Sequence, residues 1–297
     1  MLSAQYLKYA KSQVTDPLNS LSIFLKYARF RYILHRVLLR IKLGKKKRDQ
    51  YFRETGISHI DFLPERAYSM DGIRVIPRKG THDFYMFFVP REGDVKPHLG
   101  LQENETFLDI GANIGSYSLR IANDYKEKGV NVISIEAHPD NYKALCRNIA
   151  CNKLKNITAI NKAVSANKGI VNIHERFHSG KRVGSDLYSM YDTFLHPSNV
   201  IRPDGKVIQV ECDTLDNILT LCSTKVDVMK MDIEGAEVLA LQAAPKTLSQ
   251  VRKAIVEVHG ENLEAVKQIF SLHNFKIEVT DAEMKHVVGT KQMNGQA

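Results

Sequence analysis

From residue 106 onward, short apolar runs alternate with stretches in which apolar residues recur every three or four positions. That is the pattern of a parallel sheet covered by helices. Strands are predicted at 106–110, 132–136, 157–161, 226–231, 254–258 and 275–279, with helices at 114–126, 141–152, 234–242 and 263–272. Their order makes one βαβ series, a doubly wound Rossmann-like α/β sheet, interrupted once. The interruption at 174–206 is too long for an ordinary connection, and long loops in compact domains are commonly functional. It reads as a lid on the acceptor side, with Tyr188 and His178 assigned to the acceptor, or as a plain surface insertion.

Ahead of this body, residues 66–92 alternate and turn like a β-hairpin leading into the sheet: Tyr68 to Met70, an Asp71-Gly72 turn, Ile73 to Ile76, then an extended run from Phe84 to Val89. Residues 17–51 read as an amphipathic helix. At about 100° per residue, Ile23, Tyr27, Phe30, Leu34, Val37, Leu38 and Ile41 fall in one arc, and Lys26, Arg29, Arg36 and Arg40 in another. No window of about 18 residues there is free of charge, which argues against a membrane-crossing span and leaves an interfacial one open. The apolar arc either packs on the catalytic domain or a second subunit, or meets lipid. The division is therefore 1–60, a basic helical segment, and 61–297, the catalytic domain.

Charge sharpens this division. Of the net +9, residues 1–53 supply thirteen Lys/Arg against two Asp/Glu, which leaves twenty-nine basic and thirty-one acidic residues downstream. A basic appendage on a nearly neutral body points to an anionic membrane surface at residues 17–53 more than to nucleic acid gripped by the whole chain. Cys146, Cys151, Cys212 and Cys222 lack C-x-x-C spacing, and no cleavable leader pattern opens the sequence. Both features point to a reducing, cytoplasmic setting, and the basic helix of residues 17–53 leaves peripheral attachment at the cytoplasmic membrane face open.

In Phe107-Leu108-Asp109-Ile110-Gly111-Ala112-Asn113-Ile114-Gly115, a buried strand enters a glycine turn and then a helix. Gly111 would let the backbone approach a ligand, and Gly115 would let the helix lie close. A dinucleotide site wants G-x-G-x-x-G, but Asn113 and Ser116 stand at its second and third glycine positions. Asp109 would repel a phosphate and suits a cationic ligand. Glu136, at the end of the next strand before His138-Pro139, is placed to accept hydrogen bonds from ribose hydroxyls. The second acidic cluster is Asp232-Ile233-Glu234-Gly235-Ala236-Glu237, again at a strand end entering a helix. Glu234 and Glu237 are either helix-terminal charges or site groups. Glu257 and His259 alternate onto one side of the neighbouring strand, beside Asp232. A base there would take the proton of an alcohol, with His259 and Glu257 first and Asp232 and Glu234 next. A divalent metal on Asp232, Glu257 and His259 is the alternative, and no metal is expected.

With both clusters in hand, the chain resembles the FkbM family of class I methyltransferases over about residues 72–281. The matching stretches are Thr81-His82-Asp83-Phe84, the Asp109 to Gly115 motif, Ile135 to Pro139, Asn161 to Val164, Thr214-Leu215-Asp216, Lys230 to Glu237, and Glu257-Val258-His259. The resemblance implies S-adenosyl-L-methionine as donor and O-methylation of hydroxyls on glycans, lipid-linked sugars or related small molecules. It implies that Asp109, Gly111, Asn113, Gly115, Glu136, His138, Asn161 and Asp232 hold the cofactor. Asp232 and Glu234, with Glu257 and His259, would stand at the reacting groups, and Glu237 at the acceptor. Two competing functions stay open: an NAD-dependent oxidoreductase, and a non-catalytic Rossmann-like adaptor for membrane or RNA.

Overall fold

The computed structural model describes residues 20–55, 66–78, 81, 83–88, 95–175, 177–178, 181–182, 188–189, 199–200, 207–222, 224–280 and 286–292. A long helix α1 (Ser20–Thr55) comes first, broken at Gly44 (φ 76°, ψ 166°). The hairpin follows as β1 (Tyr68–Met70) and β2 (Ile73–Val75), paired from Tyr68↔Val75 to Met70↔Ile73. Asp71 and Gly72 both have positive φ, as a two-residue hairpin turn requires. One of the lead-in expectations fails. The hairpin forms a two-stranded sheet of its own, but residues 83–88, expected as an extended run, are a helix, α2 (Asp83–Phe88). The run 84–88 is apolar throughout and has no period of two, so it does not distinguish strand from helix. In this helix Asp83 and Phe87 are both buried.

After a short helix α3 (Lys96–Leu99), the central domain begins with β3 (Thr106–Ile110), α4 (Ser116–Asp124), β4 (Asn131–Ile135), α5 (Pro139–Asn152) and β5 (Ile157–Ile160). It then makes a detour. Strand β6 (Ala163–Val164) is followed by β7 (Gly169–Glu175), four two-residue strands β8 (Phe177–His178), β9 (Lys181–Arg182), β10 (Tyr188–Ser189) and β11 (Asn199–Val200), and β12 (Val207–Asp213). β7 and β12 form an antiparallel ribbon from Cys212↔Gly169 to Val207↔His174. The described residues at the start of the 174–206 insertion therefore continue a ribbon outside the central sheet. The chain returns with α6 (Leu215–Cys222), β13 (Val228–Met231), α7 (Glu237–Gln242), α8 (Pro245–Gln250), β14 (Lys253–Glu257), α9 (Leu263–Leu272), β15 (Phe275–Val279) and β16 (His286–Lys291).

The seven-stranded sheet runs β5-β4-β3-β13-β14-β16-β15. All neighbours are parallel except at β16, which runs antiparallel to both β14 and β15. This reversed strand was not predicted. Within its six residues Gly289 interrupts the apolar pattern. The glycine has a packing reason: a Cβ there would lie 2.6 Å from Phe270 Cδ2.

Every residue of β3 and β13 is buried, because apolar layers cover both faces of the sheet. Leu108, Ile110, Met229 and Met231 pack in one layer; Phe107, Val132, Val228 and Ile255 pack in the other. The strand order reverses between β3 and β13. In open α/β sheets the crevice at such a reversal, beyond the strands' carboxyl ends, is where ligands bind.

Candidate active site

The glycine turn closes over the end of β3. The amides of Gly111 and Ala112 both donate to Ile135 O (2.9 and 3.0 Å), and the amide of Asn113, at φ 53°, donates to Glu136 Oε2 at 2.8 Å. The reason for glycine at 111 differs from the expected one. A Cβ at Gly111 would stand 1.8 Å from the backbone oxygen of Asp232, so the position makes room for the neighbouring strand's end. At Gly115 (φ 97°) a Cβ would meet Leu145 Cδ1 of α5 at 2.8 Å. Because the first three turn amides are used within the protein, no nest is left at them for a pyrophosphate. This adds to the missing glycines as a reason against the NAD reading.

Asp109 is buried at the end of β3, where Oδ2 accepts from the amide and hydroxyl of Ser118 (3.2 and 2.5 Å). Glu136 lies next to it. Its Oε1 accepts from His138 N (2.9 Å) and Asn141 Nδ2 (3.3 Å). Burial pushes the Glu136 carboxyl above its ordinary range, and these hydrogen bonds offset part of that rise. His138 is the N-cap of α5, with Nδ1 accepting from Asp140 N. Asn161 braces the segment after β4 by donating to the backbone oxygens of Glu136 and Ala137 (2.8 and 3.0 Å). Both residues therefore shape the pocket wall around Glu136.

A relay missed in the sequence supports this wall. Asp83 holds Arg78 through two 2.7 Å bonds, Arg78 donates to Asn141 Oδ1 (2.9 Å), and Asn141 donates to Glu136. The Thr81-to-Phe84 motif carried the only signal for it, since Thr81 Oγ1 also bonds Arg78 O.

At the other end of the crevice, Lys230 stands opposite Asp109 in the β3–β13 register. This buried lysine was not singled out beforehand. Its Nζ is 3.3 Å from Asp232 Oδ2 and 3.9 Å from Asp109 Oδ1, and lies over the Tyr117 ring. Burial works against its charge, but Asp232 and Asp109 outweigh that and hold the ammonium above its usual range.

Next to Lys230, four carboxylates surround His259. Nδ1 is 2.8 Å from Glu237 Oε1, while Nε2 is 3.5 Å from Glu257, 3.7 Å from Glu234 and 4.0 Å from Asp232. Burial opposes the imidazolium, but the carboxylates, Glu237 and Glu257 foremost, pull its pKa up to about 12. His259 is thus protonated at neutral pH, which removes it from first place as a base. Glu257 leaves first place too. Burial would raise its carboxyl, yet His259 and His286 together hold it below the usual range. Asp232 shifts the other way, raised by burial and by Glu257 against the pull of Lys230 and His259.

Glu237 also has a different task from the one expected. It is fully buried, accepting from Gly235 N (2.8 Å) and Asn262 Nδ2 (2.9 Å) besides His259. An acceptor cannot reach it directly. Glu234 precedes α7 instead of sharing its first turn, at φ 53° in a left-handed conformation. His178 and Tyr188 fall in β8 and β10, where His178 pairs with Asn199 and Tyr188 with Glu175; their side chains lie outside the described residues.

One atom each of Asp232, Glu257 and His259 lies within 4.8 Å of the others, a spacing a divalent cation would accept. A metal would first have to displace the His259 proton and compete with Lys230. The Asp109–Glu136 end fits a ligand better. Asp109 Oδ1 and Asn113 Oδ1 are buried and accept no hydrogen bond among the described residues. Buried acceptors left so cost about 1–3 kcal/mol each, and a ligand rich in ammonium and hydroxyl donors would satisfy them.

The family model for the methyltransferase FkbM domain matches residues 109–278, more than half of the chain. The chain belongs to the FkbM methyltransferase family. S-adenosylmethionine is the cofactor of this family, and the sheet order is the doubly wound, Rossmann-like one. Among solved structures, the chain is similar to an FkbM methyltransferase from Methylobacillus flagellatus, at 19% identity and a TM-score of 0.45. That match covers 67% of this chain and 46% of the other, so this chain spans about half of that protein. Precorrin-6y C5,15-methyltransferase from Geobacter metallireducens is similar at 13% identity and a TM-score of 0.40, covering 66% of this chain and 85% of that one. TYW2 from M. jannaschii, solved in complex with AdoMet, is similar at 16% identity and a TM-score of 0.39, over 76% and 84% of the two chains. No curated protein matches this FkbM-family chain in sequence.

Proposed function

We propose that this protein methylates a hydroxyl of a glycan, a lipid-linked sugar or a related small molecule, with S-adenosylmethionine as donor. When bound, the donor supplies a methyl group on a positively charged sulfur for an oxygen nucleophile to take. Glu136 and the Asn113 turn would hold the ribose, and Asp109 the amino acid end. The observation that carries the hydroxyl reading is Asp232. Its side chain is 24% exposed, next to Lys230, and its proton affinity is raised.

A hydroxyl releases its proton most readily to a base whose pKa lies near the working pH. Asp232 is the carboxylate of the cluster shifted in that direction, and we assign it the proton. Glu234 stands second. His259 and Glu237 are positioning residues: the imidazolium fixes the carboxylates around it, and Glu237 fixes the imidazolium from below.

The experiment is to incubate the chain with S-adenosylmethionine labelled at its methyl group and fractionated cell glycans and lipids. Label is expected in a glycan or lipid fraction as an alkali-stable methyl ether. Label confined to proteins, to alkali-labile esters or to amines would overturn the hydroxyl reading.

A further inference from the structure

The N-terminal helix shows the body of the protein an unexpected side. Its half-buried residues are Tyr32, His35, Arg36 and Leu39, and it lies against β9 in the insertion. The more apolar arc points away. Phe30, Ile33, Leu34, Val37, Leu38 and Ile41 follow helical spacing and are 64%, 58%, 42%, 47%, 55% and 77% exposed. Of the alternatives left open for this arc, packing on the catalytic domain is not met among the described residues.

Six large apolar side chains in one exposed stripe are uncommon on a soluble surface and mark an interaction site. Charge narrows the partner. Arg29, Arg40 and Lys42 border the stripe, and exposed Lys45, Lys46 and Lys47 follow the break at Gly44. Downstream of α1's first 34 residues the chain is nearly neutral, so this positive field is local. No helix of the described residues is long and apolar enough to cross a membrane. An apolar stripe flanked by basic residues, too charged to span, is the form of a helix lying in the plane of an anionic bilayer.

We propose that α1 docks the protein on a membrane surface rich in anionic lipid, with Phe30 to Ile41 entering the acyl boundary and the lysines after Gly44 meeting the headgroups. The proposal does not depend on which acceptor the enzyme methylates. A second copy of the chain would bury the stripe equally well but would bring the same positive charges together. An anionic lipid surface neutralises them.

The test is cosedimentation of the full chain with vesicles of phosphatidylcholine alone or with 30% phosphatidylglycerol. Binding to the mixed vesicles is expected, weakening as salt is raised, because each basic residue near an anionic surface contributes about fivefold in affinity. The double variant Val37→Glu/Ile41→Glu should lose at least about tenfold of that binding, and Lys45→Glu/Lys47→Glu a comparable amount. All four positions are exposed, so unchanged thermal unfolding midpoints are expected.

Wild-type protein that ignores mixed vesicles, or binding indifferent to Val37→Glu/Ile41→Glu, overturns the proposal. So does sedimentation velocity showing a dimer that this variant dissociates while vesicles remain unbound, which would assign the stripe to a second copy. Binding to RNA without binding to vesicles overturns it as well.

Discussion

At the Glu136 end of the crevice the polar groups are held by backbone amides, with Gly111, Ala112, Asn113 and His138 all donating to the end of β4 or to Glu136 itself. At the Asp232 end, four carboxylates and two cations oppose one another at distances from 2.8 to 4.0 Å. The first end is fixed by backbone geometry. The second is fixed by charge, so any change in protonation is felt by every member. The two ends meet at Gly111, whose missing Cβ lets the turn sit on the Asp232 carbonyl. The comparison implies that binding and reactivity can be damaged separately.

The largest separation is expected from Asp232→Asn. Loss of the proton acceptor should lower kcat by about 10²- to 10⁴-fold, with donor affinity changed by less than about threefold because the side chain keeps its size. Single-turnover kinetics alongside equilibrium binding would measure both. Equal damage to affinity and turnover would mean that the two ends are one unit.

A smaller effect is expected in stability against pH. His259 has its folded pKa raised from 6.5 to about 12, so its contribution is fully present below about 6.5 and is lost as pH rises through the folded value. Urea unfolding from pH 7 to 10 should show a falling stability, and His259→Gln should flatten that slope. An unaltered slope in the variant would contradict a protonated His259.

The same contrast explains what could be read from residues alone. The glycine turn and Glu136 are local signals, since Asp109 to Gly115 is contiguous and Glu136 ends the next strand, and strands β3 and β15 fall where the apolar runs place them. The charge balance at the other end is not local. Lys230 is an isolated cation in a buried strand, and its meaning comes from standing opposite Asp109, a register set by sheet assembly. Glu237 resembles a first-turn helix acid until His259 and Asn262, more than twenty residues later, fold back onto it. The outward stripe of α1 was legible as an arc, but which side faced the protein was not, because Leu39 on the opposite face is apolar too.

The central claim is that Asp109 and Glu136 form the donor's binding end, and calorimetric titration of S-adenosylmethionine tests it most directly. The wild-type chain should bind one equivalent. Glu136→Ala should weaken binding by about 10- to 100-fold, as expected for lost hydrogen bonds to a charged group, and Asp109→Ala should do likewise. Undiminished affinity in both variants, with their folds intact, would contradict the account.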